Sequence, residues 1–266
     1  MNAILEVNSL TVVFETQRGF VTANEGVSFS QGKGEWLAIM GPSGSGKSVL
    51  AKTISGIFTG NPGVVAGRIV YNGSDLLEGI DSHVRLKREG SRIVSVRKDP
   101  QRWEKVYRRN IARHAMNQFA YIFQNPYDAL NPYCTVRKHL REAFRAGGTA
   151  GGEIGDRSIE LLTTLQIASP ADTLKRYPHE LSGGMAQRVV IAMALAQKTS
   201  VIIADECTTS LDPVSAVSTV EALQSARQTS GCSILFITHD EGIAVTYSDR
   251  ILRFDKGRFV NGGSFS

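Results

Sequence analysis

Residues 41–48 read Gly41, Pro42, Ser43, Gly44, Ser45, Gly46, Lys47 and Ser48. An apolar run, residues 36–40, precedes this stretch and a helix-like run, residues 49–55, follows it. Glycines let the backbone turn tightly and point its N–H groups at phosphate oxygens, at the positive end of the next helix. A Gly/Ser surface turn that matches by chance is the alternative, and the flanking strand and helix argue against it. The spacing therefore predicts a loop that binds a nucleoside triphosphate, with Lys47 at the β- and γ-phosphates and Ser48 on Mg²⁺.

The composition restricts the class of protein. The 266 residues, 42% of them hydrophobic, suffice for one large α/β domain or two small ones. No run approaches the roughly 18 apolar residues that cross a bilayer, and residues 1–7 lack the basic and apolar pattern of a secretory signal, so we expect a cytosolic protein. Cys134, Cys207 and Cys232 are odd in number and widely spaced, so we expect reduced, packed thiols.

The positive charge is concentrated in one segment. Residues 82–118 contain eleven lysines and arginines against three acidic residues, so this segment carries +8 and the rest of the chain −3. Within it, residues 91–96 are expected to add a strand, and residues 100–116 a basic helix that carries Trp103 and Tyr107. We expect either contact with anionic lipid head groups or an acidic protein face, or a solvated insertion without a partner.

The order of elements predicts the fold class. Residues 4–14, 26–30 and 67–73 resemble strands of a small antiparallel layer, and residues 125–187 are mainly helical, with helices at 135–144 and 157–165. The remaining pattern gives helices at 184–195 and 214–228 and apolar strands at 36–40, 200–205, 232–238 and 251–255. Nearly all-apolar strands that alternate with helices predict an α/β fold with a parallel sheet.

Two acidic residues end one of these strands. Asp205 and Glu206 follow the apolar run 201–204, at the strand end where open α/β sheets bind their ligands. We expect Asp205 to hold Mg²⁺ and Glu206 to act as general base toward the attacking water. A solvated Asp-Glu pair is an equally good interpretation of this stretch alone.

Three further stretches favour the first interpretation. Gln124 follows the apolar run 119–123, where its amide would contact the metal ion and the water. Ser182, with Gly183 and Gly184, opens a helix in an anion-binding arrangement, and His239 follows another strand, within reach of a γ-phosphate. Each of these residues alone more often has a structural role. Five motifs in the right order and at compatible intervals point to one site.

Together these motifs resemble those of the ATPase subunits of ABC transporters, over essentially the whole chain. The matching stretches are 41–48 for the Walker A loop, Gln124 for the Q-loop, 181–185 for the signature, 201–206 for Walker B, 210–213 for the D-loop and His239 for the switch histidine. Residues 123–132 and 177–185 resemble the dipeptide, oligopeptide and nickel branch of the family.

The resemblance implies a P-loop NTPase (RecA-like) core with a parallel sheet, an N-terminal antiparallel β-layer and an inserted helical subdomain. Residues 1–266 would form a single ABC ATPase domain. Residues 1–81 and 188–266 would hold the ATP-binding core and β-layer, residues 82–118 a basic insertion, and residues 125–187 the helical subdomain with the signature.

The resemblance also implies an activity and partners. ATP would be hydrolysed in a head-to-tail dimer, between the Walker A loop of one subunit and Ser182, Gly183 and Gly184 of the other. Glu206, His239 and Gln124 would be catalytic, and Ser48, Gln124 and Asp205 would hold Mg²⁺. The partners would be two transmembrane permease subunits, a second ATP-binding subunit and a solute-binding protein, with no nucleic acid. The chain would lie peripherally on the cytoplasmic face of the membrane and energise the import of peptides or a similar small solute.

Two other functions stay open, and so do the roles of Phe20 and Cys207. The chain could be a soluble ABC ATPase acting on nucleic acid or ribosomes, which only the basic segment supports, or a scaffold in a soluble multi-subunit enzyme. The aromatic residue that stacks on adenine is expected to be Phe20, with Phe14 as an alternative and a plain core role for Phe20 equally possible. Cys207 stands where the family usually has proline, and we expect a small packed residue rather than a redox sensor.

Overall fold

A computed structural model describes residues 3–57, 60–90, 92–114 and 117–260. The strands are β1 (Ala3–Thr16), β2 (Gly19–Gly32), β3 (Trp36–Met40), β4 (Pro62–Tyr71), β5 (Ser74–Asp75), β6 (Val84–Glu89), β7 (Arg92–Lys98), β8 (Phe119–Ile122), β9 (Val201–Asp205), β10 (Ser233–Thr238), β11 (Arg250–Asp255) and β12 (Arg258–Phe259). The helices are α1 (Lys47–Ile54), α2 (Pro100–His114), α3 (Val136–Ala146), α4 (Ile154–Thr164), α5 (Pro170–Thr173), α6 (Gly183–Ala196), α7 (Pro213–Ser230) and α8 (Glu241–Tyr247).

The chain divides into two compact units. The first consists of Met1–Lys33, Leu37–Met116 and Asp249–Ser266, and the second of Gly34–Trp36 and Asn117–Ser248. The basic segment and the N-terminal strands therefore lie in the first unit. The helices that the sequence predicts between residues 125 and 187 lie in the second.

The first unit contains the predicted antiparallel layer. Its strands are ordered β2-β1-β4-β5, and apolar side chains of β1 such as Leu5, Leu10 and Val12 are fully buried. In the same unit β11 pairs in parallel with β3, from Arg250 opposite Leu37 onward, and β12 pairs antiparallel with β11. The prediction of an antiparallel layer beside parallel strands is confirmed.

The basic segment differs from its prediction in one respect. Instead of the single strand expected at residues 91–96, β6 and β7 form an antiparallel hairpin. Its apolar side chains, including Val84, Leu86 and Val96, pack against a cluster of Val13, Val65 and Ile93. The alternation of Val84 and Leu86 with charged residues is itself a strand signal, but it covers only six residues in a stretch dominated by lysine and arginine. Ser91 itself lies outside the described residues.

Helix α2 packs on the same unit and corresponds to the helix predicted at residues 100–116. Residues 115 and 116 lie outside the described residues. Trp103 and Tyr107 are buried, at 7% and 5% exposure. The Tyr107 hydroxyl donates to the Thr53 carbonyl at 3.1 Å, and the Asn110 amide donates to the Glu78 carbonyl at 2.9 Å. The two aromatic residues of the basic segment thus form its packed face rather than its exposed one.

The second unit contains a parallel sheet and a helical layer. Strand β9 pairs in parallel with β8 on one side and β10 on the other, and its five residues are all buried. The core of this unit extends from these strands into α3, α4, α6 and α7, and the Trp36 ring packs edge-on against Phe236 with centroids 5.7 Å apart. The predicted apolar parallel strands and the helices at 135–144 and 157–165 are confirmed, with shifted ends.

The prediction of packed thiols agrees with the structure. Cys134, Cys207 and Cys232 are free and buried, as expected for packed thiols. None of the described helices combines the length and apolar character that a bilayer crossing requires.

Candidate active site

The predicted phosphate loop runs from the end of β3 to the start of α1. Gly46 is the N-cap of α1 and has φ 104°, in the left-handed region that favours glycine. Two contacts fix the loop from outside: Asn24 Nδ2 donates to the Gly46 carbonyl at 3.1 Å, and the Gly257 N–H donates to the Ser45 carbonyl at 2.8 Å. Asn24 is fully buried, so this contact is shielded from water.

Two glycines of the loop are required by close backbone approaches. A Cβ on Gly41 would lie 1.9 Å from the Phe254 carbonyl oxygen, and one on Gly46 would lie 2.3 Å from the Ala23 carbonyl oxygen. Real Cβ atoms do not approach so closely, so a larger residue at either position would displace β11 or β2. The spacing of the motif thus reflects packing as well as ligand access.

Lys47 lies against the loop. It is only 3% exposed, and its Nζ donates to the carbonyls of Gly41 and Pro42, both at 2.8 Å. Within the described residues, the N–H groups of Ser43, Gly44 and Gly46 donate to no protein acceptor. An ammonium group beside outward-facing backbone donors at a helix start is a donor set that fits a polyphosphate.

In the second unit, the acidic pair ends the central strand β9. Asp205 is 6% exposed and accepts a hydrogen bond from the Tyr121 hydroxyl at 2.5 Å. Glu206 has φ 49°, an uncommon left-handed backbone for a residue with a side chain, and its N–H donates to the Ile237 carbonyl at 2.9 Å.

The hydrogen bond from Tyr121 to Asp205 could not be predicted from the sequence. Burial, and secondly the neighbouring Asp205 carboxylate, raise the pKa of Tyr121 well above its usual range. The hydroxyl therefore stays protonated at physiological pH and remains a donor to Asp205. Tyr121 belongs to the predicted strand 119–123. Nothing in that run indicates that its hydroxyl contacts the Asp205 carboxylate, 84 positions later in the chain.

We expect Tyr121→Phe to weaken metal-dependent nucleotide binding. Removing the donor leaves a buried carboxylate with one hydrogen bond fewer, which costs about 1.5–3 kcal/mol when the acceptor is charged. The affinity for ATP should fall about tenfold or more with Mg²⁺ present and change little in EDTA, measured by titration with a fluorescent nucleotide. Tyr107→Phe is the matched control, since it loses a buried hydroxyl that donates to a carbonyl. Equal effects in both variants would contradict a role for the Tyr121–Asp205 contact.

Gln124 and His239 lie at the same edge of the second unit's sheet. Gln124 follows β8 and His239 follows β10, the two strands that flank β9 in parallel, and both side chains are exposed. The Gln124 carbonyl accepts from the Ser210 hydroxyl at 3.2 Å. Because parallel strands end at one edge, the structure places Gln124, Asp205, Glu206 and His239 together there.

The predicted signature residues begin α6. Ser182 is its N-cap, and the Ser182 hydroxyl accepts from the Met185 N–H at 3.3 Å. A Cβ on Gly184 would lie 3.0 Å from the Ser215 hydroxyl, and one on Gly183 would lie 3.3 Å from Leu211. The two glycines therefore also permit close packing of α6 against α7 and the segment before it.

Phe20 and Cys207 have packing roles. Phe20 is partly buried against the cluster of Val13, Val65 and Ile93, so its stacking on adenine stays a prediction. Cys207 is fully buried, and burial raises the pKa of its thiol to about 12. A thiol that stays protonated agrees with the expected small packed residue.

The predicted metal ligands are all oxygen donors. Among the described residues, no group of three or more histidine, cysteine, aspartate or glutamate side chains could hold an ion. The predicted ligands Ser48, Gln124 and Asp205 are a hydroxyl, an amide and one carboxylate. Such oxygen donors fit Mg²⁺, which keeps several waters and binds substrate phosphates.

Comparison with curated proteins gives relatives over nearly the whole chain. The chain is 35% identical to the oligopeptide transport ATP-binding protein OppD of Bacillus subtilis, over 98% of this chain and 66% of OppD. It is 34% identical to the dipeptide transport ATP-binding protein DppD of the same organism, over 99% of this chain and 71% of DppD. The peptidoglycan transport ATP-binding protein YejF of Agrobacterium fabrum is 35% identical over 98% of this chain and 43% of YejF. The chain thus spans between 43% and 71% of the length of these three relatives.

Solved structures agree on the fold. A dimeric ATP-binding cassette in a post-hydrolysis state, bound to ADP and Pi, matches with a TM-score of 0.74 at 22% identity, over 98% of this chain and 99% of that one. An ATP binding subunit of an ABC transporter matches with a TM-score of 0.69 at 26% identity, over 98% and 90%. The predicted P-loop NTPase fold is confirmed. The family model described as ABC transporter matches residues 24–209, and the chain belongs to the ABC transporter family.

Proposed function

We propose that the chain is the ATP-hydrolysing, energy-coupling subunit of an ABC importer for peptides or a related small solute. The observation that carries the hydrolytic part is the strand edge of the second unit, where Gln124, Glu206 and His239 follow three adjacent parallel strands and Asp205 is buried and hydrogen-bonded. The names of the relatives, which are oligopeptide and dipeptide transport ATP-binding proteins, support the solute class.

The residue roles follow from the chemistry of each group. Residues 41–48 would cradle the phosphates with backbone N–H groups, and the Lys47 ammonium would neutralise charge on the β- and γ-phosphates. Glu206 would accept a proton from the attacking water, oriented by Gln124, while His239 would hydrogen-bond the γ-phosphate. Phe20 would stack on adenine. Ser48, Gln124 and Asp205 would hold Mg²⁺, which would supply positive charge to the phosphate oxygens.

The proposed site is completed by a second subunit. Ser182, Gly183 and Gly184 of a partner copy or paralogue would donate to the γ-phosphate from the start of α6, where a serine hydroxyl and helix N–H groups are available. ATP would then bind the two subunits together, and hydrolysis would release them. In this proposal residues 1–266 act as one ABC ATPase domain, whose helical subdomain, residues 125–187, carries the signature.

The proposed partners are two transmembrane permease subunits, with a solute-binding protein delivering the solute to them. The chain would lie on the cytoplasmic face of the membrane as a peripheral subunit. A nucleotide drives a transport step only if it binds one conformation of the complex better than the other, so contacts with the permease must differ between the two states.

Isolation of the native complex tests this proposal. The chain, tagged and expressed at its native level, should co-purify with integral membrane subunits after extraction in mild detergent, and the complex should hydrolyse MgATP. Mass spectrometry identifies the partners. Recovery with RNA, DNA or soluble enzyme subunits only would contradict the importer and would favour the nucleic-acid or scaffold alternative.

A further inference from the structure

The β6–β7 hairpin separates its apolar and charged side chains onto two faces. Directly opposite residues of an antiparallel pair point to the same face, and neighbours along a strand alternate. Val84, Leu86 and Val96 pack toward the apolar cluster of the first unit. The intervening residues Arg85, Lys87, Ser95 and Arg97 form the opposite side, which we call the outer face, and all three of its cationic residues are exposed.

The outer face carries uncompensated positive charge. Arg85 and Arg97 are direct cross-strand partners, and like charges in this position destabilise a hairpin. Neither guanidinium forms an ion pair within the part of the chain that the structure describes. Lys87 lies 3.9 Å from Glu89, but the two side chains are 73% and 69% exposed, so this pair adds little. An external anion would relieve the repulsion between the two arginines.

The chemistry of the face indicates which anionic partner fits. It presents no apolar or aromatic side chain, whereas protein interfaces depend on buried aromatic or aliphatic anchors. Proteins that hold single-stranded nucleic acid stack bases on exposed aromatic rings, but Trp103 and Tyr107 of this basic segment are buried. A layer of phospholipid head groups offers phosphate charge spread over a surface, and binding it requires only exposed cations.

We propose that the outer face of the β6–β7 hairpin binds the head groups of anionic phospholipids. The contact is electrostatic and lies at the membrane surface, since the face has no apolar side chain to insert. It rests on the proposed function only in so far as an importer places the chain beside a bilayer. The hairpin then adds an attachment to the membrane that does not pass through the permease subunits.

Vesicle sedimentation with the purified full chain tests the proposal. The chain should sediment at low salt with vesicles of phosphatidylcholine mixed with phosphatidylglycerol, but not with phosphatidylcholine alone, and high salt should release it. Each cation near such a surface strengthens binding about fivefold, so Arg85→Gln with Arg97→Gln should weaken it about thirtyfold. The charge-retaining pair Arg85→Lys with Arg97→Lys should bind like the original chain.

The matched control removes two arginines elsewhere. Arg141 and Arg145 are exposed on α3, and Arg141→Gln with Arg145→Gln should retain vesicle binding. Circular dichroism and thermal unfolding verify that each variant is folded. Three results would each overturn the proposal: no sedimentation of the original chain with anionic vesicles, equal losses in the two glutamine pairs, or displacement from vesicles by duplex RNA at far lower phosphate concentration.

The assay contains no permease, no ATP and no hydrolysis step. Loss of vesicle binding therefore refutes the lipid contact while leaving the importer proposal standing. If the chain binds vesicles but co-purifies with no membrane subunit, the lipid contact is supported and the importer proposal is contradicted.

Discussion

Glu206→Gln should bind MgATP with near-normal affinity and hydrolyse it about 10²- to 10⁴-fold more slowly, the range that a general base contributes. Glutamine keeps the size and shape of the side chain, but its amide replaces one acceptor oxygen by a donor and cannot accept a proton from water. The backbone bond from residue 206 to the Ile237 carbonyl is unaffected by the substitution, so the left-handed conformation should persist. With hydrolysis blocked, ATP should accumulate in a stable dimer.

Three measurements check this result: the steady-state rate of phosphate release, the affinity for a fluorescent ATP analogue, and the elution volume with and without MgATP. Glu221→Gln is the matched control, since Glu221 is an exposed acid on α7, and it should leave all three unchanged. Hydrolysis by Glu206→Gln at the original rate would remove Glu206 as the base.

The motif residues could be predicted from the sequence because local spacing determines them. A turn of glycines between a strand and a helix, or an acid directly after an apolar strand, specifies its own surroundings within a few residues. The structure accordingly places Gln124, Asp205, Glu206 and His239 at ends of parallel strands, as expected. Their chemical roles remain proposals.

The supporting contacts could not be predicted, because they join residues distant in the chain. Asn24 reaches the Gly46 carbonyl across 22 positions, and Tyr121 reaches Asp205 across 84. Asparagine in a strand and tyrosine in an apolar run are ordinary residues until the fold brings them to the loop or the carboxylate. No periodicity in a single sequence encodes such pairs.

The basic segment illustrates a different limit. Its charge predicted an unusual surface, but not which side chains would be solvated. Trp103 and Tyr107, which stand out in the sequence among arginines and lysines, turn inward, and Val84 and Leu86 provide a second strand. Tertiary packing decided the face of each element, and only the paired register identifies Arg85 and Arg97 as neighbours.

Lys47→Ala should weaken nucleotide binding about a hundredfold or more, since removing one partner of a buried charge pair costs about 2–5 kcal/mol, and it should reduce hydrolysis to background. The ammonium group is 3% exposed and is held by two loop carbonyls at 2.8 Å, so it is already positioned beside the backbone donors. Its charge is therefore available to phosphates with little reorganisation, and a pre-positioned charge in a shielded site stabilises a ligand far more than an exposed one. Alanine removes the charge and leaves the glycine turns intact.

The alternative explanation of such a loss is a collapsed loop, because Gly41 and Pro42 would each lose a donor to their carbonyl. Thermal unfolding without nucleotide separates the two: loss of charge alone predicts a nearly unchanged Tm, whereas collapse predicts a fall of several degrees. Lys52→Ala, on the same helix and partly buried, should preserve both binding and Tm. If Lys47→Ala binds and hydrolyses MgATP like the original chain, residues 41–48 do not hold the phosphates, and the nucleotide site must be sought elsewhere in the chain.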